Sequence, residues 1–234
     1  MLTGLKRMMA KAWGLCRISH VLDRQPTSSW LGSQAYWEER YKRGDDSGAG
    51  SHGRSARLKA QVINAFVIAH DVKSVIEFGC GDGHQLALAE YPQYMGFDVS
   101  EAAIQRCRQL FWNDRAKRFG LLSEYRGEKA DLALSLDVIY HLVEDDVFSA
   151  HMAAVFRASN RYVVIYSSNE NRNPWFLGKH LRHRKFTMWI SENAPDWRLL
   201  HTRSGFAADF HFYEWSPAAD VLTETPRADV GADT

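Results

Sequence analysis

The chain has 234 residues, 45% of them apolar, and a formal net charge of +1. That length supports one sizeable α/β domain with insertions, and the near-balanced charge argues against a broad nucleic-acid surface. Its three cysteines, Cys16, Cys80 and Cys107, lack disulfide or metal spacing and suit a reducing, cytoplasmic setting, and no apolar run reaches the length of a membrane span.

Residues 1–24 read as a basic amphipathic helix. Leu2, Leu5, Met9, Trp13, Cys16 and Val21 fall near one face, with Lys6, Arg7, Lys11 and Arg17 between them. Without a clean apolar stretch and cleavage site it does not resemble a secretory signal. Packing on the domain is the expectation, and peripheral contact with an anionic membrane is the alternative. The segment 1–29 ends in a Gln25–Ser29 linker, and the main domain is expected over 30–215.

A helical aromatic stretch, Tyr36 to Tyr41, leads into the glycine-rich run Gly44 to Gly53, which is expected to be an irregular lid over a neighbouring site. Ser55 to Ala69 reads as a helix burying Leu58, Val62, Ala65, Phe66 and Ala69. Strand and helix then alternate: strand 73–78, helix 84–90, strand 94–97, helix 100–112 with Ser100 as N-cap, a weak strand 119–123, strand 131–136, helix 144–157 and strand 161–167. This alternation means a parallel sheet with right-handed crossovers. Strands 197–201 and 208–215 read as a hairpin, and 216–234 as a disordered tail.

The chemistry concentrates where the first strand meets glycine. Val75-Ile76-Glu77-Phe78-Gly79-Cys80-Gly81-Asp82-Gly83 is an apolar strand entering a glycine turn, and the next strand ends on Asp98. Glycines there let the backbone approach a ligand closely, and a carboxylate at Asp98 can accept two ribose hydroxyls. Dinucleotides and S-adenosylmethionine (SAM) both satisfy this layout.

The G-x-G-x-G spacing, with Glu77 two positions before Gly79, resembles motif I of class I SAM-dependent methyltransferases. The strand Ala130 to Leu142, which leads into Asp137 and His141, resembles their motif IV. The resemblance spans about residues 35–215. It implies an α/β, Rossmann-like, mostly parallel seven-stranded sheet with helices on both faces and an antiparallel C-terminal strand. It implies SAM as cofactor, held by Glu77, Gly79, Cys80, Gly81, Gly83, Asp98, Val99 and Asp137. Adenine-contacting residues near Ser123, Glu124 and Tyr125 are not fixed by the pattern.

A hydroxyl acceptor needs a base, and His141 is the first candidate, with Asp137 the second. The region 169–190 follows the fifth strand, where such enzymes often build the acceptor pocket. Trp175, Arg182, His183 and Arg184, with Tyr140, are the candidate acceptor contacts, the arginines suiting a phosphate or carboxylate. His180 to Thr187 is expected to begin the helix ending near Ile190. No His, Asp and Glu set has metal-ligand spacing, so no metal is expected. The acceptor implied is small or glycan-linked, anionic acceptors included, through a loose resemblance to enzymes of bacterial surface-polysaccharide clusters. RNA or another macromolecule, and a non-catalytic SAM-binding subunit, stay as alternatives. The chain lacks a Pro-Pro-Tyr motif after strand four.

Overall fold

The computed structural model describes residues 30–217 apart from Phe176. The expected N-terminal amphipathic helix, and the tail from residue 218 onward, lie outside the described residues.

Seven strands form one sheet: β1 (Val75–Phe78), β2 (Tyr94–Asp98), β3 (Lys117–Leu121), β4 (Ala130–Leu136), β5 (Ser159–Ser167), β6 (Trp197–Ser204) and β7 (Asp209–Trp215). Their spatial order is β3-β2-β1-β4-β5-β7-β6. The first five run parallel, with Val75 opposite Tyr94 on one side and Leu132 on the other. Strand β7 runs antiparallel to both β5 and β6. The expected mostly parallel sheet with an antiparallel C-terminal strand is therefore present.

Period-two alternation divides the sheet into two faces. Val75, Leu132, Leu134, Tyr162, Val164, Phe210 and Phe212 pack to one side, with Val62, Ile63, Phe66 and Val67 of α2 (Gly53–Ala69) and with Ile104 and Cys107 of α3 (Glu101–Leu110). Ile76, Phe78, Ala133, Val163, Ile165 and Tyr213 pack to the other. Opposite them are Phe148, Met152, Val155 and Phe156 of α4 (Asp145–Arg157) and Phe186 and Ile190 of α5 (Phe186–Asn193). Strands buried on both faces read as continuous apolar runs, which is why β4 and β5 are so plain in the sequence. The N-terminus of α3 is capped as expected, the Ala103 N–H donating to Ser100 Oγ at 3.2 Å.

Several boundaries differ from the sequence reading. The expected helix over 84–90 is a single tight turn, Leu86–Leu88, because only Gln85 and Leu86 of its start turn inward and Leu88 is exposed. Strand β3 lies at Lys117–Leu121, two residues earlier than expected, where its edge position leaves no strong apolar signal. Helix α5 begins at Phe186, so the basic segment precedes it as loop. Helix α2 buries Lys59, Ile63 and Val67, and leaves Ala65 and Ala69 exposed.

Helix α1 (Ser33–Lys42) packs against α3, and its Trp37 meets His141 just beyond β4. One end is tied by Glu144, which accepts from the Trp30 indole, the Ser33 N–H and the Ser33 hydroxyl at 3.1, 3.1 and 2.6 Å. A carboxylate there also complements the positive helix end. The other end is held by Arg106, which donates to the Tyr41 and Asp45 carbonyls. Among the described residues no helix is long and apolar enough to cross a membrane.

Below the sheet's carboxyl ends, His151 is 7% exposed and bonds Ser135 Oγ at 2.9 Å. Burial pushes its pKa down to about 4. A histidine neutral in the folded state and ordinary when unfolded contributes stability above about pH 6.5 that is lost as pH falls toward 4. His151→Gln is therefore expected to flatten the acid limb of the stability curve by up to about 1.4 kcal/mol per pH unit. Denaturant titrations of wild type and variant from pH 7 to 4.5 measure the difference.

Candidate functional site

The turn after β1 is closed by its own main chain. The Gly79 and Cys80 N–H groups donate to the Phe97 carbonyl at 2.7 and 3.1 Å, and the Gly81 N–H donates to Asp98 Oδ2 at 2.9 Å. The donors expected to face a ligand are thus used within the protein. The glycines provide space and conformation instead. Gly79 has φ 86°, and a Cβ there would stand 2.4 Å from Val138 Cγ2. Gly81 has φ 58°, and its Cβ would meet Ser47 Oγ at 2.4 Å. Both positions are left-handed and crowded, so only glycine fits.

Asp98, 7% exposed, also accepts from the Ser100 N–H at 3.0 Å. Burial raises its pKa against the pull of these backbone bonds. It couples the end of β2 to the turn, and Val99 beside it is half-buried. Glu77 sits beneath, 5% exposed, and accepts the Tyr94 hydroxyl at 2.7 Å. Burial pushes Glu77 up to about 7, Tyr94 and Lys59 opposing. Cys80 is buried, with its thiol pKa raised by Cys107 and burial, so it is an inert packing group.

Asp137 terminates β4 in a left-handed conformation, φ 61°, unusual for a residue with a Cβ. Three groups hold it there. Its N–H donates to the Tyr166 carbonyl at 2.9 Å. Lys59 Nζ donates to Oδ2 at 2.6 Å, and the Tyr140 hydroxyl to Oδ1 at 2.8 Å. The Lys59 side chain is only 1% exposed. Lys59 is a site residue that the sequence did not single out. A lysine on an amphipathic helix is assigned to solvent by default, and only its burial beside a carboxylate reverses that.

The tight turn Ile139–His141 sets His141 against Trp37, with ring centroids 4.8 Å apart and nearly perpendicular. His141 Nδ1 lies 3.2 Å from the His180 carbonyl. A carbonyl only accepts, so Nδ1 carries the proton and Nε2 keeps its lone pair. Burial, with His180 adding to it, pushes the pKa of His141 down to about 3. Tyr36 stacks on His180 at 4.6 Å and 6°, and Tyr140 lies 5.8 Å from the His183 ring. Helix α1, the end of β4 and the post-β5 segment thus converge on one aromatic and imidazole wall.

The basic segment is committed elsewhere. Arg184 donates to the Leu142 and Val143 carbonyls at 2.5 and 2.7 Å and to Asp145 at 3.1 Å. Arg182 donates to the Val143 carbonyl at 2.8 Å and pairs with Asp145 at 3.1 Å. These arginines, read from the sequence as a grip on an anionic acceptor, fasten one loop to another, with part of the Arg182 side chain still exposed. His183 is 9% exposed, with Nδ1 2.6 Å from Ser168 Oγ. Asn173 brackets its main chain, accepting from the N–H and donating to the carbonyl at 2.7 and 2.9 Å. Asn169 and Asn171 likewise accept from Thr187 and Lys185 at the start of α5. Trp175 is 95% exposed and stands outside the wall.

The loop 43–52 packs onto the glycine turn and passes Asp137. The Ser47 N–H donates to Asp82 Oδ2 at 3.0 Å, and the Asp82 N–H returns to Ser47 Oγ at 3.1 Å. At Gly50 an added Cβ would stand 2.7 Å from Asp137 Oδ2. This lid loop also brings His52 to Asp82 and His84, a His/Asp set that spacing in the sequence had not suggested.

A methyltransferase-domain family model matches residues 51–211. The chain belongs to this family of methyltransferase domains, the SAM-dependent class whose motifs its sequence resembles. Solved structures with the same fold include magnesium protoporphyrin IX methyltransferase (ChlM) from Synechocystis PCC 6803 with bound SAM, at TM-score 0.58 and 16% identity over 81% of this chain and 100% of that one. N-methyltransferase NodS from Bradyrhizobium japonicum WM9, with S-adenosylhomocysteine, gives 0.61 and 14% over 78% and 98%. An O-methyltransferase family protein from Burkholderia thailandensis gives 0.59 and 12% over 91% and 71%. No curated protein matches.

The residues present fit the cofactor. A buried, two-oxygen carboxylate ends β2, a turn too tight for any Cβ precedes it, and a carboxylate–lysine pair ends β4. Asp98→Asn is expected to weaken SAM binding at least about tenfold, corresponding to about 1.4 kcal/mol, in titration calorimetry. Lys59→Met leaves Asp137 without its buried cation and is expected to lower the unfolding free energy by about 3–5 kcal/mol, measured by urea denaturation.

Proposed function

We propose that the protein O-methylates a hydroxyl of a small or glycan-linked acceptor, with SAM as methyl donor. The observation that carries this reading is the orientation of His141. It is neutral, its Nδ1–H is committed to the His180 carbonyl, and its lone pair is carried on Nε2 at the carboxyl end of β4. The fold neighbours include one named an N-methyltransferase and one named an O-methyltransferase family protein, so the acceptor atom has to be argued from the site. A neutral amine already has a nucleophilic lone pair, whereas a hydroxyl must lose its proton during transfer.

In this reading Asp98, Val99 and the turn Gly79–Gly83 hold the nucleoside part of the cofactor, and Glu77, Asp137 and Lys59 set the charge around its amino-acid part. SAM, when bound, supplies a methyl group on a positively charged sulfur. His141 accepts the hydroxyl proton at Nε2. Burial keeps this ring neutral and its Nε2 lone pair free at neutral pH, while the same burial makes it a weaker base than an exposed imidazole, so it works as a base only once a bound acceptor hydrogen-bonds to Nε2. Tyr140, fixed by Asp137, orients the acceptor beside it. Trp37, Tyr36 and His180 offer flat faces suited to a sugar ring, and they exclude water. Arg182 and Arg184 hold the wall from behind, so the acceptor does not need a negative charge. The loose resemblance to polysaccharide-cluster enzymes supports the glycan class.

The test is methyl transfer from labelled SAM to a panel of sugars, glycosides and small amines. Turnover on hydroxyl acceptors is expected, with His141→Ala lowering kcat by about 10²–10⁴-fold while the acceptor KM changes little. Transfer only to amines, or a His141→Ala enzyme within a few-fold of wild type, would overturn the reading.

A further inference from the structure

We propose that His52, Asp82 and His84 form a binding site for a divalent transition-metal ion, zinc by preference, which clips the lid loop onto the glycine turn. One ligating atom from each residue lies within 4.8 Å of the other two. Ligands at about 2.0–2.1 Å from zinc stand about 3–3.5 Å apart around a tetrahedron, so small side-chain rotations complete the site. Those rotations are open. The His84 side chain is 60% exposed and that of His52 36%. The ring centroids already lie 4.7 Å apart, with the planes tilted 55°.

The backbone arranges this convergence. Gly83, at φ 82°, turns the chain so that Asp82 and His84 project together, with Asp82 Oδ1 3.6 Å from His84 Nδ1. Asp82 is fixed by the N–H groups of Ser47 and His84. These occupy two of about four acceptor positions on a carboxylate and leave room for a metal. His52 comes from the other side, on the last residue before α2.

A second observation points the same way. Asp46 Oδ2 lies 3.0 Å from His52 Nε2, yet that nitrogen is buried and makes no hydrogen bond. His52 Nε2 thus lies buried beside Asp46 with no hydrogen-bond partner, a polar group left over for a ligand to satisfy. The donor set selects the metal: two imidazoles and a carboxylate suit zinc and its neighbours, whereas magnesium and calcium take all-oxygen sets. Three protein ligands leave a fourth position for water.

The binding does not depend on the methyl-transfer reading and is measured with metal alone. Full-length protein without a histidine tag is stripped with chelator and titrated with zinc chloride by calorimetry, and with cobalt for its visible spectrum. One equivalent is expected to bind, with a cobalt spectrum of low coordination number and a zinc-dependent rise in Tm. His52→Ala and His84→Ala, at exposed or half-exposed positions where folding is checked by circular dichroism, are each expected to weaken binding by more than about 100-fold. That exceeds the 10–100-fold loss typical when only an outer partner of a metal ligand is removed. No saturable zinc binding by the wild type, or unchanged affinity in the double variant, would overturn the proposal.

Discussion

The arrangement at the carboxyl end of β4 depends on one buried ion pair, Lys59 with Asp137. A lysine 1% exposed is tolerated only when paired, because desolvating an isolated ammonium costs several kcal/mol. The pair locates α2 against the sheet, and with Tyr140 it holds Asp137 in its left-handed conformation. That conformation turns the chain sharply off β4 and delivers His141, four residues later at the end of the tight turn Ile139–His141, to the aromatic wall. Lys59 also opposes the rise in the Glu77 pKa from below. Removing its charge would therefore disturb the turn, His141 and the strand end together.

Around that centre, the polar groups of the loops mostly bond one another. The main-chain donors of the glycine turn are spent on Phe97 and Asp98, the arginines of the basic segment on Leu142, Val143 and Asp145, and the asparagines after β5 on Lys185, His183 and Thr187. The result is a stiff frame made from irregular chain, which is how catalytic groups on loops keep their positions. Glu144 performs the same task for α1, anchoring its start through Trp30 and Ser33. The aromatic and imidazole wall is consequently assembled from three segments far apart in sequence, near residues 36, 140 and 180.

The lid loop adds a second connection between these parts. Ser47 and Asp82 exchange hydrogen bonds reciprocally, and Gly50 passes Asp137 so closely that a methyl group would collide. A metal bound at His52, Asp82 and His84 would reinforce this contact at its outer edge and couple metal occupancy to the opening of the cofactor turn.

The strands buried on both faces, the glycine turn, Asp98 and the capped start of α3 were legible in the sequence, because each follows from a local rule: continuous apolar runs, left-handed φ, a carboxylate at a strand end, a serine before a helix. The class of enzyme follows from the same short motifs. Side chains whose meaning depends on a distant partner were not legible. Lys59 reads as solvent until Asp137 is beside it, Arg184 reads as an anion grip until the Val143 carbonyl occupies it, and His52 and His84 share no motif. The sequence by itself determined the sheet, its reaction class and the glycine turn after β1, since those are set by periodicity and by residues near one another in the chain. Only the tertiary structure decided which charged groups face the site and which are consumed in building it, because burial and pairing arise from contacts made after the chain has folded.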